Sequence, residues 1–215
     1  MRTLGSPIQG FNYWTEAAIV KGRDETRRAL QGYGYDIGAT YRFLGAPLSP
    51  SMTFGYAVGS GDKNPNDTVN NDFRQTGLQS NELKFAGLSE FKRYGEVLDP
   101  ELSNLRIVTV GVGFRPFRDV SLDFVYHDYH LVAWAETLRN SAVTAEMNQG
   151  PVASNDVGSE FDIILGFRNV FNVQRLGIDL RVGKFFPGDA FRNDFPGNRF
   201  VKADQAAAAV VKFWW

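Results

Sequence analysis

Along much of the chain, apolar and polar side chains change places at every step. In "YGYDIGATYRF", Tyr33, Tyr35, Ile37, Ala39, Tyr41 and Phe43 share one side, while Gly34, Asp36, Gly38, Thr40 and Arg42 share the other. "SEFDIILGFR" sets Phe161, Ile163, Leu165 and Phe167 against Glu160, Asp162, Ile164, Gly166 and Arg168, and "VSLDFVYHDY" sets Leu122, Phe124 and Tyr126 against Asp123, Val125 and His127. A period of two is the signature of a strand with two unlike faces. It predicts strands at about 11–23, 31–44, 49–60, 103–116, 119–134, 159–170, 174–186 and 202–215, each long enough to cross a bilayer as a tilted strand of ~9–11 residues.

Alternation alone does not separate a soluble sandwich from a membrane barrel, because both put an apolar face opposite a polar one. Connector lengths do. "LGAPLSP" (44–50), "RPFRDV" (115–120) and "NVFNVQ" (169–174) are short, whereas 21–31, 61–102, 135–158 and 187–201 are long and polar. Strict alternation of short and long connectors is the asymmetry of an outer-membrane barrel, with tight turns on the periplasmic side and long loops outside. The expected fold class is therefore all-β: an antiparallel transmembrane β-barrel, about eight strands of it in a single domain over 1–215, with a long outer loop at about 61–102 open to proteases.

The C-terminal "AAAAVVKFWW" fits this reading. Ala207, Ala209, Val211, Phe213 and Trp215 share one face of a last strand, expected to close the barrel with Phe213 and Trp215 towards lipid. Such an aromatic-ended strand resembles the signal read by the outer-membrane assembly machinery, an expected partner beside membrane lipid. Tyr13, Trp14, Phe43, Phe114, Phe117, Trp134, Phe185, Phe186, Trp214 and Trp215 stand near strand ends, where interfacial aromatic girdles are expected.

Composition narrows the function. Twenty-three basic and 24 acidic residues give a net charge of -1, so no basic footprint for nucleic acid exists. Cysteine is absent, which removes disulfides and thiolate metal sites, and no apolar run approaches the ~20 residues of a membrane helix. No cofactor is expected. Residues 1–14 lack the apolar core of a secretory signal. For a protein beyond the inner membrane, this leads us to expect that the chain is part of a longer one.

The runs "NDFRQTGLQSN" (71–81), "ELSNL" (101–105), "VYH" (125–127), "SEFDI" (159–163) and "FFPGDAF" (185–191) resemble, in order and spacing, the C-terminal part of the alginate export outer-membrane proteins. The resemblance implies a barrel of about eighteen strands, located in the cell outer membrane, whose arginine-containing lumen passes an anionic polysaccharide outward. Eight strands alone enclose room only for side chains, so the chain is expected to supply part of such a barrel. Arg74 and Arg181 match family arginines. Asp179 stands where the family carries a second arginine, and Glu82 replaces a basic residue.

The candidate substrate-binding residues are thus Arg74 and Arg181 from the resemblance, with Arg42, Arg115, Arg168 and Lys212 from strand parity. Forked guanidinium donors suit carboxylates. On the same faces lie Glu16, Asp36, Asp123, Glu160, Asp162 and Asp179, so paired wall charges are the bland alternative. A general solute porin of the same architecture is the second reading. A barrel enzyme centred on His127, beside Asp128 and His130, is the third, although neither GxSxG nor HExxH occurs; no enzyme activity and no metal site are expected. "GRDE", "GSGDKNPND" and "RNDFPGN" are acidic but lack the ligand spacing of a calcium loop.

Overall fold

A computed structural model describes the chain apart from residues 26, 76–80, 151, 193–203 and 214–215; at 172, and along 204–213 except Val211, it describes the backbone alone. Among the described residues there are twelve strands: β1 (Arg2–Ile8), β2 (Phe11–Arg23), β3 (Ala29–Arg42), β4 (Ser51–Gly59), β5 (Val69–Asn70), β6 (Glu82–Leu83), β7 (Phe91–Lys92), β8 (Leu105–Phe117), β9 (Val120–Leu131), β10 (Asp156–Arg168), β11 (Leu176–Pro187) and β12 (Asp204–Phe213). The long strands lie in the order β1-β2-β3-β4-β8-β9-β10-β11-β12, each antiparallel to its neighbour. All eight strands expected from alternation are there. β1 was not expected, because Gly5, Ser6 and Pro7 interrupt its pattern.

Register carries one side-chain set across the sheet. Glu16 pairs with Asp36, Asp36 with Ala57, Ala57 with Ile107, and Ile107 with Tyr129; Thr109 pairs with His127, and His127 with Glu160. These residues form the inner face, which the chain itself covers. Asp36 is 4% exposed, whereas the adjoining Ile37 is 53% exposed. Ile37, Phe54, Val110, Ile163 and Val182 stand on the bare face. That inverts the soluble arrangement: the uncovered side is the apolar one, as a lipid-facing wall requires. Two aromatic residues expected in the girdles, Trp14 and Phe185, turn inward instead and are buried. Phe43, Phe117, Trp134 and Phe186 are exposed as expected, and Trp214 and Trp215 lie outside the described residues.

The connectors segregate by end. Residues 9–10, 43–50, 118–119 and 169–175 turn at one end of the sheet, and 24–28, 60–104, 132–155 and 188–203 join strands at the other. The 60–104 connector departs from expectation. Residues 63–68 are exposed, but most of its other described residues are not. After β5 pairs in parallel with the start of β3, the chain descends along the inner face, forms the small hairpin β6-β7 and climbs back. Phe85, Phe91, Tyr94, Val97, Leu98 and Leu102 are buried. Phe85 and Phe91 pack on Trp14, Val125 and Ile164 in one apolar cluster. Nearer the long-loop end, Leu98 joins Tyr129, Val143, Met147, Phe185 and Phe191 in another, so the 132–155 connector lies over the returning segment.

Candidate functional site

The descending segment meets the sheet through charges that its strands place inward. At the short-turn end, Arg115 at the end of β8 donates from Nε to the Ala86 carbonyl at 3.0 Å and from Nη2 to the Gly87 carbonyl at 2.9 Å. Ser121 Oγ accepts the Leu88 N–H at 2.8 Å. Arg168, closing β10, donates to the Leu88 carbonyl and, at 2.7 Å, to Asp179 Oδ1. Ser89 Oγ donates to that same Asp179 oxygen at 2.7 Å. Because Arg115, Ser121 and Arg168 adjoin the short turns, the tip of the segment reaches the far end of the sheet.

Higher up, the bonding reverses sign. Fully enclosed Glu160 accepts the Val97 and Leu98 N–H groups at 2.7 and 2.8 Å. Asp162 accepts the Glu96 N–H at 3.3 Å, and Tyr129 donates its hydroxyl to the Tyr94 carbonyl at 2.8 Å. Gly95 between them has φ +107, and any Cβ there would collide with Tyr129 and Glu160; only glycine fits this close approach.

A third cluster centres on Asp36. Trp14 Nε1 donates to one of its oxygens at 2.7 Å, and the Tyr94 hydroxyl donates to the other at 3.0 Å. Arg93 reaches Asp36 and Glu16 at 3.1 Å each. Burial, with Asp36 adding to it, holds the Tyr94 phenol well above its ordinary pKa. Arg181, 4% exposed, has Nη1 3.5 Å from Glu82 and 3.4 Å from Glu96, both on the descending segment.

The candidates from the sequence therefore divide. Arg115, Arg168 and Arg181 converge on the inner face and hold the 81–98 segment. Arg42 lies opposite Ser51 at the short-turn end, near enough to Arg115 for the two like charges to interact. Arg74 stands apart from the strands on the descending segment; its Nε is enclosed without a partner among the described residues, and its charge acts on Glu101, whose carboxyl burial raises. Lys212 pairs in register with Gly177, and its side chain lies outside the described residues.

His127 is fully enclosed, with Nδ1 2.9 Å from Thr109 Oγ1 and Nε2 3.6 Å from Asp162 Oδ2. His130 lies away from it, beside Asp128 at 3.2 Å. In "GSGDKNPND", Asp62 takes Arg28 at 2.6 Å.

Sequence reasoning missed Arg93, Tyr94 and Ser89. A signal was available: 83–98 carries Leu83, Phe85, Phe91, Tyr94, Val97 and Leu98, more apolar surface than an exposed loop tolerates. The inner-face glycines Gly34, Gly38, Gly59, Gly113 and Gly183 were a second, since a Cβ at each would run into a neighbouring side chain or the returning backbone.

The family model described as alginate export matches residues 1–199. The chain is similar to the alginate production protein AlgE of Azotobacter vinelandii, 29% identical over 178 residues, which cover 75% of this chain and 36% of that protein. Against AlgE of Pseudomonas aeruginosa it is 28% identical over 209 residues, 84% of this chain and 41% of the relative. Against that of Pseudomonas syringae pv. tomato it is 23% identical over 222 residues, 85% and 42%. The chain thus spans about two-fifths of the length of these relatives.

Proposed function

The chain belongs to the alginate export family, and on that premise we propose that it forms part of the wall and the lumenal constriction of an outer-membrane pore that passes an alginate-like anionic polysaccharide outward. One observation carries the reading: the bare face is apolar, while the covered face is charged and threaded by its own connector. Lipid meets the first, and the polymer moves past the second. The assembly machinery reads the C-terminal strand.

Within the lumen, Arg42 and Arg74 present guanidinium groups to the carboxylates of the passing polymer, with Lys212 as a further cation. Arg115, Arg168 and Arg181 contribute by fixing the descending segment that narrows the path. Weak, repeated contacts of this kind let a polyanion enter and leave. Planar-bilayer recording of the pore formed by the whole coding sequence tests the proposal. A hexauronate should interrupt the current at concentrations where a neutral hexasaccharide does not, and equal block by both overturns it.

A further inference from the structure

Two of the short turns are bound to each other. Residues 118–119 join β8 to β9 and residues 169–175 join β10 to β11; because β9 and β10 are neighbours, the two turns lie side by side. Asp119 links them. Its carbonyl accepts the Arg168 N–H at 2.9 Å, and its Oδ1 accepts Asn169 Nδ2 at 2.9 Å. All four strands are paired on both sides, so the turns stand away from the open edges of the sheet.

The joined turns are apolar and basic at once. Phe117 pairs with Val120, Val120 with Phe167, and Phe167 with Ile178, one row of the bare face at its short-turn rim. Phe117 is 71% exposed there; beyond the row Phe171 is 86% exposed, and Val173 is exposed beside it. Water gives no reason to hold Phe171 out. Its backbone is left-handed at φ 56, as are those of Asn169 at φ 52 and Arg175 at φ 68, a conformation unfavourable for bulky side chains and kept where a site needs it. Arg118 and Arg175 are exposed and make no ion pair among the described residues. Asp119 is the one acid among residues 9–10, 43–50, 118–119 and 169–175, and Asn169 occupies its carboxylate.

Continuity with the bare face sets the occupant. Phe117 belongs to a row that meets lipid, so the arginines beside it lie at headgroup depth, where forked guanidinium donors match phosphate oxygens. Resting on the outer-membrane reading, which puts the short turns on the periplasmic side, we propose that the joined turns are a docking site for an anionic phospholipid of that leaflet. Arg118 and Arg175 bind headgroup phosphates, Phe117 and Val120 meet the acyl chains, and Phe171 sits in the interfacial layer as girdle aromatics do.

The test reconstitutes the complete protein in vesicles of phosphatidylethanolamine and phosphatidylglycerol, extracts it in mild detergent and counts retained lipid by native mass spectrometry. Arg118→Gln with Arg175→Gln should lower phosphatidylglycerol retention about tenfold, the order expected of two arginines at an anionic membrane surface, and leave phosphatidylethanolamine unchanged. Arg118→Lys with Arg175→Lys, which keeps the charge but not the fork, should lose less. Arg23→Gln, at the long-loop end, should retain as wild type does. Unchanged retention in the double glutamine variant, including the case in which that variant loses a periplasmic protein instead, or an equal loss in Arg23→Gln, overturns the site and leaves the barrel standing. A complete protein that does not insert into the vesicles overturns the outer-membrane reading and the site with it.

Discussion

The carboxylate of Glu160, on a membrane strand, accepts the backbone N–H of Leu98 at 2.8 Å, a residue on a connector 62 positions earlier in the chain. An acid on the wall is spent on a peptide group of the loop, as Arg115 is spent on the carbonyls of Ala86 and Gly87. Wall charges of both signs thus hold one segment, and they do so at both depths of the sheet. The segment is a built part of the covered face.

Removing that acceptor should release it. Hydrogen bonds to a buried carboxyl contribute about 0.5–1.5 kcal/mol each, and a buried donor left without a partner costs about 1–3 kcal/mol. Glu160→Ala strands the N–H groups of Val97 and Leu98, so the returning strand of the segment should detach while the barrel persists. The expected result is a larger single-channel conductance and faster tryptic cleavage at Arg93, with Glu160→Gln intermediate. Wild-type values in both measurements contradict the role given to Glu160.

In the wild-type pore, trypsin should discriminate along the connector. Lys63 is exposed, whereas Arg93 is buried between Asp36 and Glu16, and cleavage needs local opening of the backbone. The first cut within 60–104 should follow Lys63, with Arg93 intact until the barrel unfolds. Early cleavage at Arg93 contradicts the buried path of the segment.

Arg93 itself compensates two acids. Taking away one partner of a buried ion pair leaves an uncompensated charge and costs about 3–5 kcal/mol. Arg93→Met should lower the urea midpoint accordingly, and Asp36→Asn added to it should recover part of the loss. If the double variant is no more stable than the single one, Asp36 is not the charge that Arg93 compensates.

How far the sequence disclosed this arrangement depends on the range of the interaction. Strand positions were legible because each strand carries its own two faces: Asp36 and Ile37, or Asp162 and Ile163, declare their sides within three residues. Parity therefore set Arg42, Arg115, Arg168 and Arg181 on one face, the one the chain itself covers. Their bonding partners were not legible, because these lie on a connector that polarity alone describes as solvent-facing. Arg181 meets Glu82 and Glu96, residues 99 and 85 positions away, and no local pattern encodes that meeting. β1 was missed for the opposite reason: its sequence is local enough, but Gly5, Ser6 and Pro7 blur the alternation. Trp14 and Phe185 stood near strand ends as girdle residues do, and only the packing partners Asp36 and Phe191 show why they turn inward.

The bare face makes its own prediction. Ile163 stands midway along β10 among Phe124, Phe161 and Leu165 on the uncovered side. A cationic side chain on the lipid face near the bilayer midplane costs about 2–4 kcal/mol. Ile163→Arg should lower the yield of inserted barrel and its stability in lipid by that order, whereas a polar change on the covered face, such as Thr53→Ser, should leave insertion normal. Insertion of Ile163→Arg at wild-type yield and stability contradicts lipid contact there.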